Sequence, residues 1–244
     1  MSTLVKATIG RLLSSEQKQL LRRLFDYHLK SRLFAGNLTE LAKIYWTDKF
    51  GTHTYTPFYQ GHFYGLRKKK LKVLEIGIGG YDDPCKGGGS LKMWKRFFPK
   101  SMIYGIDLYD KTPLQEKRVV TFAGSQNDTE FLKKVHDNAG PFDLIIDDGS
   151  HINEHVLTTF KVLFPYLSSG GIYVVEDTQT SYWKEYGGDS DNFNNMSTIM
   201  AFFKSLVDCL NYTEFEKKNY HPTYYDKNIL SIHFYHNMVF VYKR

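Results

Sequence analysis

Lys72-Val73-Leu74-Glu75-Ile76-Gly77-Ile78-Gly79-Gly80 is the stretch that decides the fold. An apolar run that passes directly into glycines reads as a buried strand, followed by a turn whose backbone a ligand can approach closely. Counted from Gly77, the third glycine position of the dinucleotide fingerprint is taken by Asp82, so the pattern is ExGxG and not GxGxxG. Downstream, short apolar runs alternate with helical ones. Strands are expected at Met102–Leu108, Val119–Ala123, Phe142–Asp147 and Ile172–Glu176. Helices are expected at Leu91–Phe98, Asp128–Asn138 and Glu154–Leu167, the last stopped by Ser168-Ser169-Gly170-Gly171. Such alternation places a parallel sheet between two layers of helices.

Both ends depart from this rhythm. A helix is expected over Asn194–Leu210, and then the strand-like runs Ile229–Tyr235 and Met238–Tyr242 flank only His236-Asn237. That spacing leaves no room for a crossover helix, so the two runs form an antiparallel hairpin. Five parallel strands closed by a hairpin is the layout of class I methyltransferases: an α/β, Rossmann-like, doubly wound and mostly parallel seven-stranded sheet. Upstream, residues 1–70 read as a helical N-terminal extension to a domain spanning residues 71–244. Ser14-Ser15-Glu16-Gln17 offers a capping box. Leu20, Leu21, Leu24, Phe25 and Leu29 recur at helical spacing, and Leu38, Leu41, Ala42 and Tyr45 form a second stripe. The stretch 47–63 is denser in Tyr, His and Thr than a plain linker needs.

With 42% apolar and 24% charged residues the 244-residue chain reads as soluble and globular. No apolar run approaches the ~20 residues that cross a bilayer, and the start lacks a long apolar signal region. A cytoplasmic protein without a membrane partner is expected. Cys85 and Cys209 lie far apart and outside any CxxC pair, which argues against a disulfide framework or structural zinc. The net charge of +6 is spread along the chain, and its densest run, Arg67-Lys68-Lys69-Lys70, reads as a solvated turn. No aromatic-interleaved basic repeat points to nucleic acid, so no nucleic-acid partner is expected. The 16% aromatic content suits both a large core and an aromatic-lined pocket.

Chemistry-bearing residues fall at successive strand ends. The ExGxG form resembles the first motif of S-adenosylmethionine enzymes, where Glu75 would repel a pyrophosphate but suit a sulfonium and an amino group. Asp107 ends the second strand, where an acid can accept from both ribose hydroxyls. The loop Tyr81–Ser90 would let Ser90 reach the methionyl end, and Gln126, after Gly124-Ser125, would pair with the adenine edge. Asp147-Asp148-Gly149-Ser150-His151 follows the fourth strand, and Glu176-Asp177 follows the fifth. Asp148, Glu176 and Asp177 are expected to converge, and converging carboxylates need protons or a cation. All-oxygen ligation suits Mg²⁺. His151 is then placed to take a proton from a metal-polarised hydroxyl. Asp147 alone would serve as a helix cap. His151-Ile152-Asn153-Glu154-His155 also matches the H-x-x-E-H pattern of some zinc peptidases, but no third zinc ligand is evident.

At these residues the sequence resembles the metal-dependent sugar O-methyltransferases of macrolide tailoring, the mycinamicin and demethylmacrocin type. The matching stretches are Thr47 to His53, Tyr55-Thr56-Pro57, Glu75 to Ser90, Asp147 to His155 and Gly171 to Trp183, within a region from about Leu41 to Gly188. The resemblance implies Mg²⁺ on Asp148, Glu176 and Asp177, with His151 as base. It implies S-adenosylmethionine bound along Leu74, Glu75, Gly77, Gly79 and Gly80 and by Ser90, Asp107, Ser125, Gln126 and Asp148, with Tyr55 to Tyr59, Tyr59 included, as part of a lid. The implied acceptor is a small molecule, a sugar or polyketide hydroxyl, and a homo-oligomer is left open. Two rivals stand beside it: a hydroxylase-like relative using His151, His155 and Asp148 as a facial triad, and a catalytically inactive S-adenosylmethionine-binding subunit.

Overall fold

The computed structural model describes residues 14–244, except for the side chains of residues 20–24 and 26. The side chains of Leu20, Leu21 and Leu24 in the first expected stripe therefore lie outside the described residues. The capping box is present. The Ser14 backbone N–H donates to Gln17 Oε1 at 2.9 Å, and the Gln17 N–H donates to Ser14 Oγ at 3.2 Å. It opens α1 (Ser15–Phe25), which passes through a π-helical turn, Asp26–Lys30, into one more α-turn at Ser31–Leu33.

Seven strands form one sheet: β1 (Lys72–Ile76), β2 (Met102–Asp107), β3 (Val119–Ala123), β4 (Phe142–Asp147), β5 (Leu167–Glu176), β6 (Ile229–Tyr235) and β7 (Met238–Lys243). Their order across the sheet is β3-β2-β1-β4-β5-β7-β6. The first five strands are mutually parallel, while β7 runs antiparallel to both β5 and β6. This is the sheet expected of the class I methyltransferase fold. The chain winds outward from β1 to β3 and then returns to lay β4 on the other side of β1. That reversal opens a crevice beyond the carboxyl ends of β1 and β4, where ligands of such sheets bind.

Alternate strand residues face opposite layers, as a sheet buried on both sides requires. Val73, Leu144, Ile146, Ile172 and Val174 pack with α2 (Leu38–Tyr45), α3 (Thr56–Phe63) and α4 (Gly89–Phe97). Leu74, Ile76, Ile145, Tyr173 and Val175 pack with α5 (Thr129–Ala139), α6 (Asn153–Leu163) and α7 (Ile199–Ser205). Each fully buried aliphatic or aromatic side chain contributes ~1.5–3 kcal/mol. The part of the extension from Leu38 to Phe63 thus belongs to the same core as the sheet.

Three local expectations shift. The helix before β5 ends at Leu163 and not Leu167, because Pro165 follows and cannot continue it. The strand β5 then starts at Leu167, and the glycine pair lies inside it, where the register against β4 is irregular between Phe142 and Leu144. The helix expected over Asn194–Leu210 is only α7, capped by Thr198, whose side chain accepts the Ala201 N–H, and followed by 3-10 turns at Asp208–Glu214.

Candidate active site

The glycines after β1 act in two ways. Gly77 has φ +80°, and a Cβ there would lie 2.1 Å from the Asp148 carbonyl oxygen, so only glycine lets the β1 and β4 turns touch. Gly79 has φ +70° and open space where a side chain would be. The following loop is tied down by Lys111, which is buried and donates from Nζ to the carbonyls of Tyr81 (2.6 Å), Asp83 (2.8 Å) and Lys86 (3.2 Å). At the end of β2, Asp107 Oδ2 accepts the Ile78 N–H (3.2 Å) and Oδ1 accepts the Tyr109 N–H (3.0 Å). Its half-exposed carboxylate keeps lone pairs for further donors at the crevice.

Several residues expected along the cofactor are turned inward. Leu74 is fully buried in the core. Glu75 is also fully buried, with Oε2 accepting from Ser90 Oγ (2.6 Å) and Oε1 from the Trp94 indole (3.1 Å). Ser90 thus reaches Glu75. Gln126, expected at the adenine edge, lies instead in a buried network: its Nε2 donates to Asp147 Oδ1 (3.0 Å) and Thr159 Oγ1 (3.2 Å), and its Oε1 accepts the Ser150 N–H (2.6 Å). Asp147 is no helix cap either. It is held by Gln126 and by Tyr173 (3.3 Å), and burial pushes its carboxyl up to about 7. Ser125 stays half-buried at the end of β3, its hydroxyl accepting the Asn127 N–H at 3.2 Å.

Of the three acids expected to converge, Asp148 and Asp177 do, joined by His151. One ligand atom each from Asp148, His151 and Asp177 lie within 4.8 Å of one another. His151 Nε2 is 3.6 Å from Asp177 Oδ2, and both residues have positive φ, +57° and +52°. Left-handed backbone is unfavourable for non-glycine residues and clusters at functional sites. The Asp148–His151–Asp177 group leaves out Glu176, which is buried on the side of Lys49 and Tyr59. His155 does not join the group. Its Nδ1 pairs with Ser150 Oγ at 2.9 Å, and His151 precedes α6, so the two imidazoles share no helix face. The zinc-peptidase and facial-triad arrangements are not formed.

Lys49 was not anticipated. Its side chain is fully buried and donates to Asp148 Oδ2 (2.8 Å) and Glu176 Oε1 (2.6 Å), with Glu75 Oε1 at 3.3 Å. Tyr59 donates to the same Glu176 Oε1, and Tyr55 donates to Asp177 Oδ1. Burial works against the charge of Lys49, but Asp148, Glu176 and Glu75 outweigh it and hold its pKa well above the ordinary lysine value. Burial, reinforced by Asp148, pushes the Glu176 carboxyl well up, and burial raises Glu75 and Asp148 as well. Three carboxylates face one ammonium here, and converging carboxylates need protons or a further cation. The donor set fits a hard cation such as Mg²⁺, because among the described residues none donates a hydrogen bond to Glu176 Oε2 or Asp148 Oδ1. The sequence signal for Lys49 was slender: it is the lone lysine in the Tyr-, His- and Thr-rich stretch 47–63.

No family model matches the chain. Over 209 residues, 85% of its length, it is 48% identical to mycinamicin VI 2''-O-methyltransferase of Micromonospora griseorubida, and the match covers 52% of that protein. It is likewise 48% identical over 209 residues to demethylmacrocin O-methyltransferase of Streptomyces fradiae, covering 53% of that protein. A solved structure of a methyltransferase from the mycinamycin biosynthetic pathway, in complex with Mg and SAH, superposes with a TM-score of 0.82 at 48% identity, covering 85% of this chain and 53% of that one. The chain spans about half the length of the curated relatives it matches. Over 85% of its own length the chain is thus similar to these O-methyltransferases.

Proposed function

We propose that the chain transfers the methyl group of S-adenosylmethionine to a hydroxyl of a small sugar-bearing metabolite, with Mg²⁺ held by Asp148, Glu176 and Asp177. The observation that carries this reading is the placement, at one carboxyl edge of the sheet, of an open glycine turn and a ribose-competent acid after β1 and β2 and of the cluster of Asp148, His151 and Asp177 beyond β4 and β5. A divalent ion there would supply Lewis-acid polarisation of the acceptor oxygen. His151 takes the hydroxyl proton on its imidazole, and Asp177 Oδ2, 3.6 Å away, stabilises the imidazolium that forms. The oxygen displaces the sulfonium in line, so the methyl group leaves with the acceptor and S-adenosylhomocysteine remains. Asp107 orients the nucleoside and Gly79 admits it, while Gln126 acts at one remove, holding the Gly149-Ser150 turn. On this reading the segment before residue 71 roofs the site, through Tyr55 on Asp177 and Tyr59 on Glu176.

The reading is tested by incubating the purified chain with S-adenosylmethionine carrying a labelled methyl group and a panel of glycosylated and aglycone polyketides, with Mg²⁺ or with EDTA. Label should pass to a glycoside in Mg²⁺ and stop in EDTA. Transfer undiminished in EDTA would remove the metal from the mechanism. S-adenosylhomocysteine binding without transfer to any acceptor would favour an inactive binding subunit.

A further inference from the structure

The inference concerns Lys49 and rests on the metal reading above. An ammonium has three protons and no acceptor, so three carboxylates can share it. Lys49 meets Asp148 and Glu176 on one oxygen each, at 2.8 and 2.6 Å, and has Glu75 at 3.3 Å on its far side. Glu75 in turn is fixed by Ser90 and Trp94 of α4, so the ammonium is anchored to the packed interior. Its own backbone is fixed too. The Lys49 N–H donates to Thr47 Oγ1 (3.2 Å), its carbonyl accepts the Tyr55 N–H (3.1 Å), and Phe50 bridges to Thr54. A carboxylate is planar, so holding one oxygen sets the direction of the other. On both metal-side acids the other oxygen is the one that accepts nothing from the described residues.

We infer that Lys49 is a positioning residue of the metal centre: anchored on Glu75, it turns the free oxygens of Asp148 and Glu176 toward a shared divalent cation. Partners of this kind, one step behind the ligands, commonly govern metal affinity. The role is separable from that of a mere neighbouring charge, because the two have opposite signs. A positive charge beside a cation site repels the ion, so its removal should tighten binding. Loss of a positioning contact should weaken it.

The test is calorimetric titration of Mg²⁺ alone into the purified wild type, Lys49→Met and Lys49→Arg, with folding checked by circular dichroism. Lys49→Met should bind Mg²⁺ on the order of tenfold more weakly or worse. Lys49→Arg keeps the charge but not the compact head, and should bind several-fold more weakly. Unchanged or tighter binding in a folded Lys49→Met would overturn the inference. Should Lys49→Met not fold, Lys49→Arg decides: wild-type affinity in that variant would overturn it equally. Absence of Mg²⁺ binding by the wild type would remove the metal reading and this inference with it, whereas wild-type binding matched by both variants would remove the inference alone.

Discussion

Two buried lysines at opposite edges of the sheet, Lys243 and Lys49, are partnered in opposite ways. At the amino edge Lys243 donates to the carbonyls of Phe164 (3.3 Å), Pro165 (2.7 Å) and Leu167 (2.7 Å), and the half-buried Arg118 to those of Phe98, Ser101 and Lys95. These cations satisfy backbone oxygens that secondary structure leaves over, and each contact completes a loop. At the carboxyl edge Lys49 meets carboxylates, and it leaves an oxygen of Asp148 and of Glu176 without a protein donor. An acceptor that the protein holds in place by its other oxygen and leaves without a protein donor is available to a ligand. Lys243, like Lys111 under the loop after β1, serves stability, and Lys49 serves chemistry.

The largest test of that contrast is His151→Ala. It should lower kcat by ~10²–10⁴-fold while S-adenosylhomocysteine affinity and thermal stability change little. His155→Ala should be far milder, since its contact is the Ser150 hydroxyl. Equal loss at both positions in steady-state assays would put the two histidines in one site and break the contrast. Asp107→Ala comes next. It removes two charge-assisted hydrogen bonds to the ribose, ~1.5–3 kcal/mol each, and calorimetry should show cofactor affinity falling far more than stability. Unchanged affinity would take Asp107 out of the site.

The amino edge should behave in reverse. Lys243→Met removes a donor from the carbonyls of Phe164, Pro165 and Leu167, of which Phe164 keeps the Leu167 N–H, and should cost about 2 kcal/mol in urea unfolding, with S-adenosylhomocysteine affinity unchanged. A change in that affinity would show that the edges are not independent. The smallest effect concerns the face flanking β7, where His62 pairs with Tyr242 (2.6 Å) and Tyr235 (2.9 Å). Burial, aided by His233, lowers the His62 pKa to about 4. The folded value lies below the unfolded one of ~6.5, so this contribution is present above about pH 6.5 and lost as pH falls toward 4. The Tm should drop more steeply over that window in the wild type than in His62→Gln. Identical slopes would remove His62 from the acid response.

The strands and their ends were legible in the sequence because apolar runs, glycines and terminal acids are local signals. Gly77, Asp107, Asp148, His151 and Asp177 all sit where the motif reading puts them. Side-chain direction was less legible. Glu75 and Gln126 lie at the expected strand ends but point inward, because Trp94 from α4 and Thr159 from α6 reach them, and neither helix contact is written in the motif. Lys49 was the least legible, its only local sign being a lone lysine in the stretch 47–63. Its partners Asp148 and Glu176 lie 99 and 127 residues away, so only packing of the segment before β1 over the site creates the contact.

The central claim, that the carboxyl edge is a joint metal and nucleoside site, is tested most directly by crystals grown with Mn²⁺ and S-adenosylhomocysteine. Mn²⁺ takes oxygen ligands similar to those of Mg²⁺ and gives an anomalous signal. The account predicts one anomalous peak bounded by Asp148, Glu176 and Asp177, with the nucleoside ribose on Asp107. A peak on His151 and His155, or a nucleoside bound away from Asp107, would contradict it.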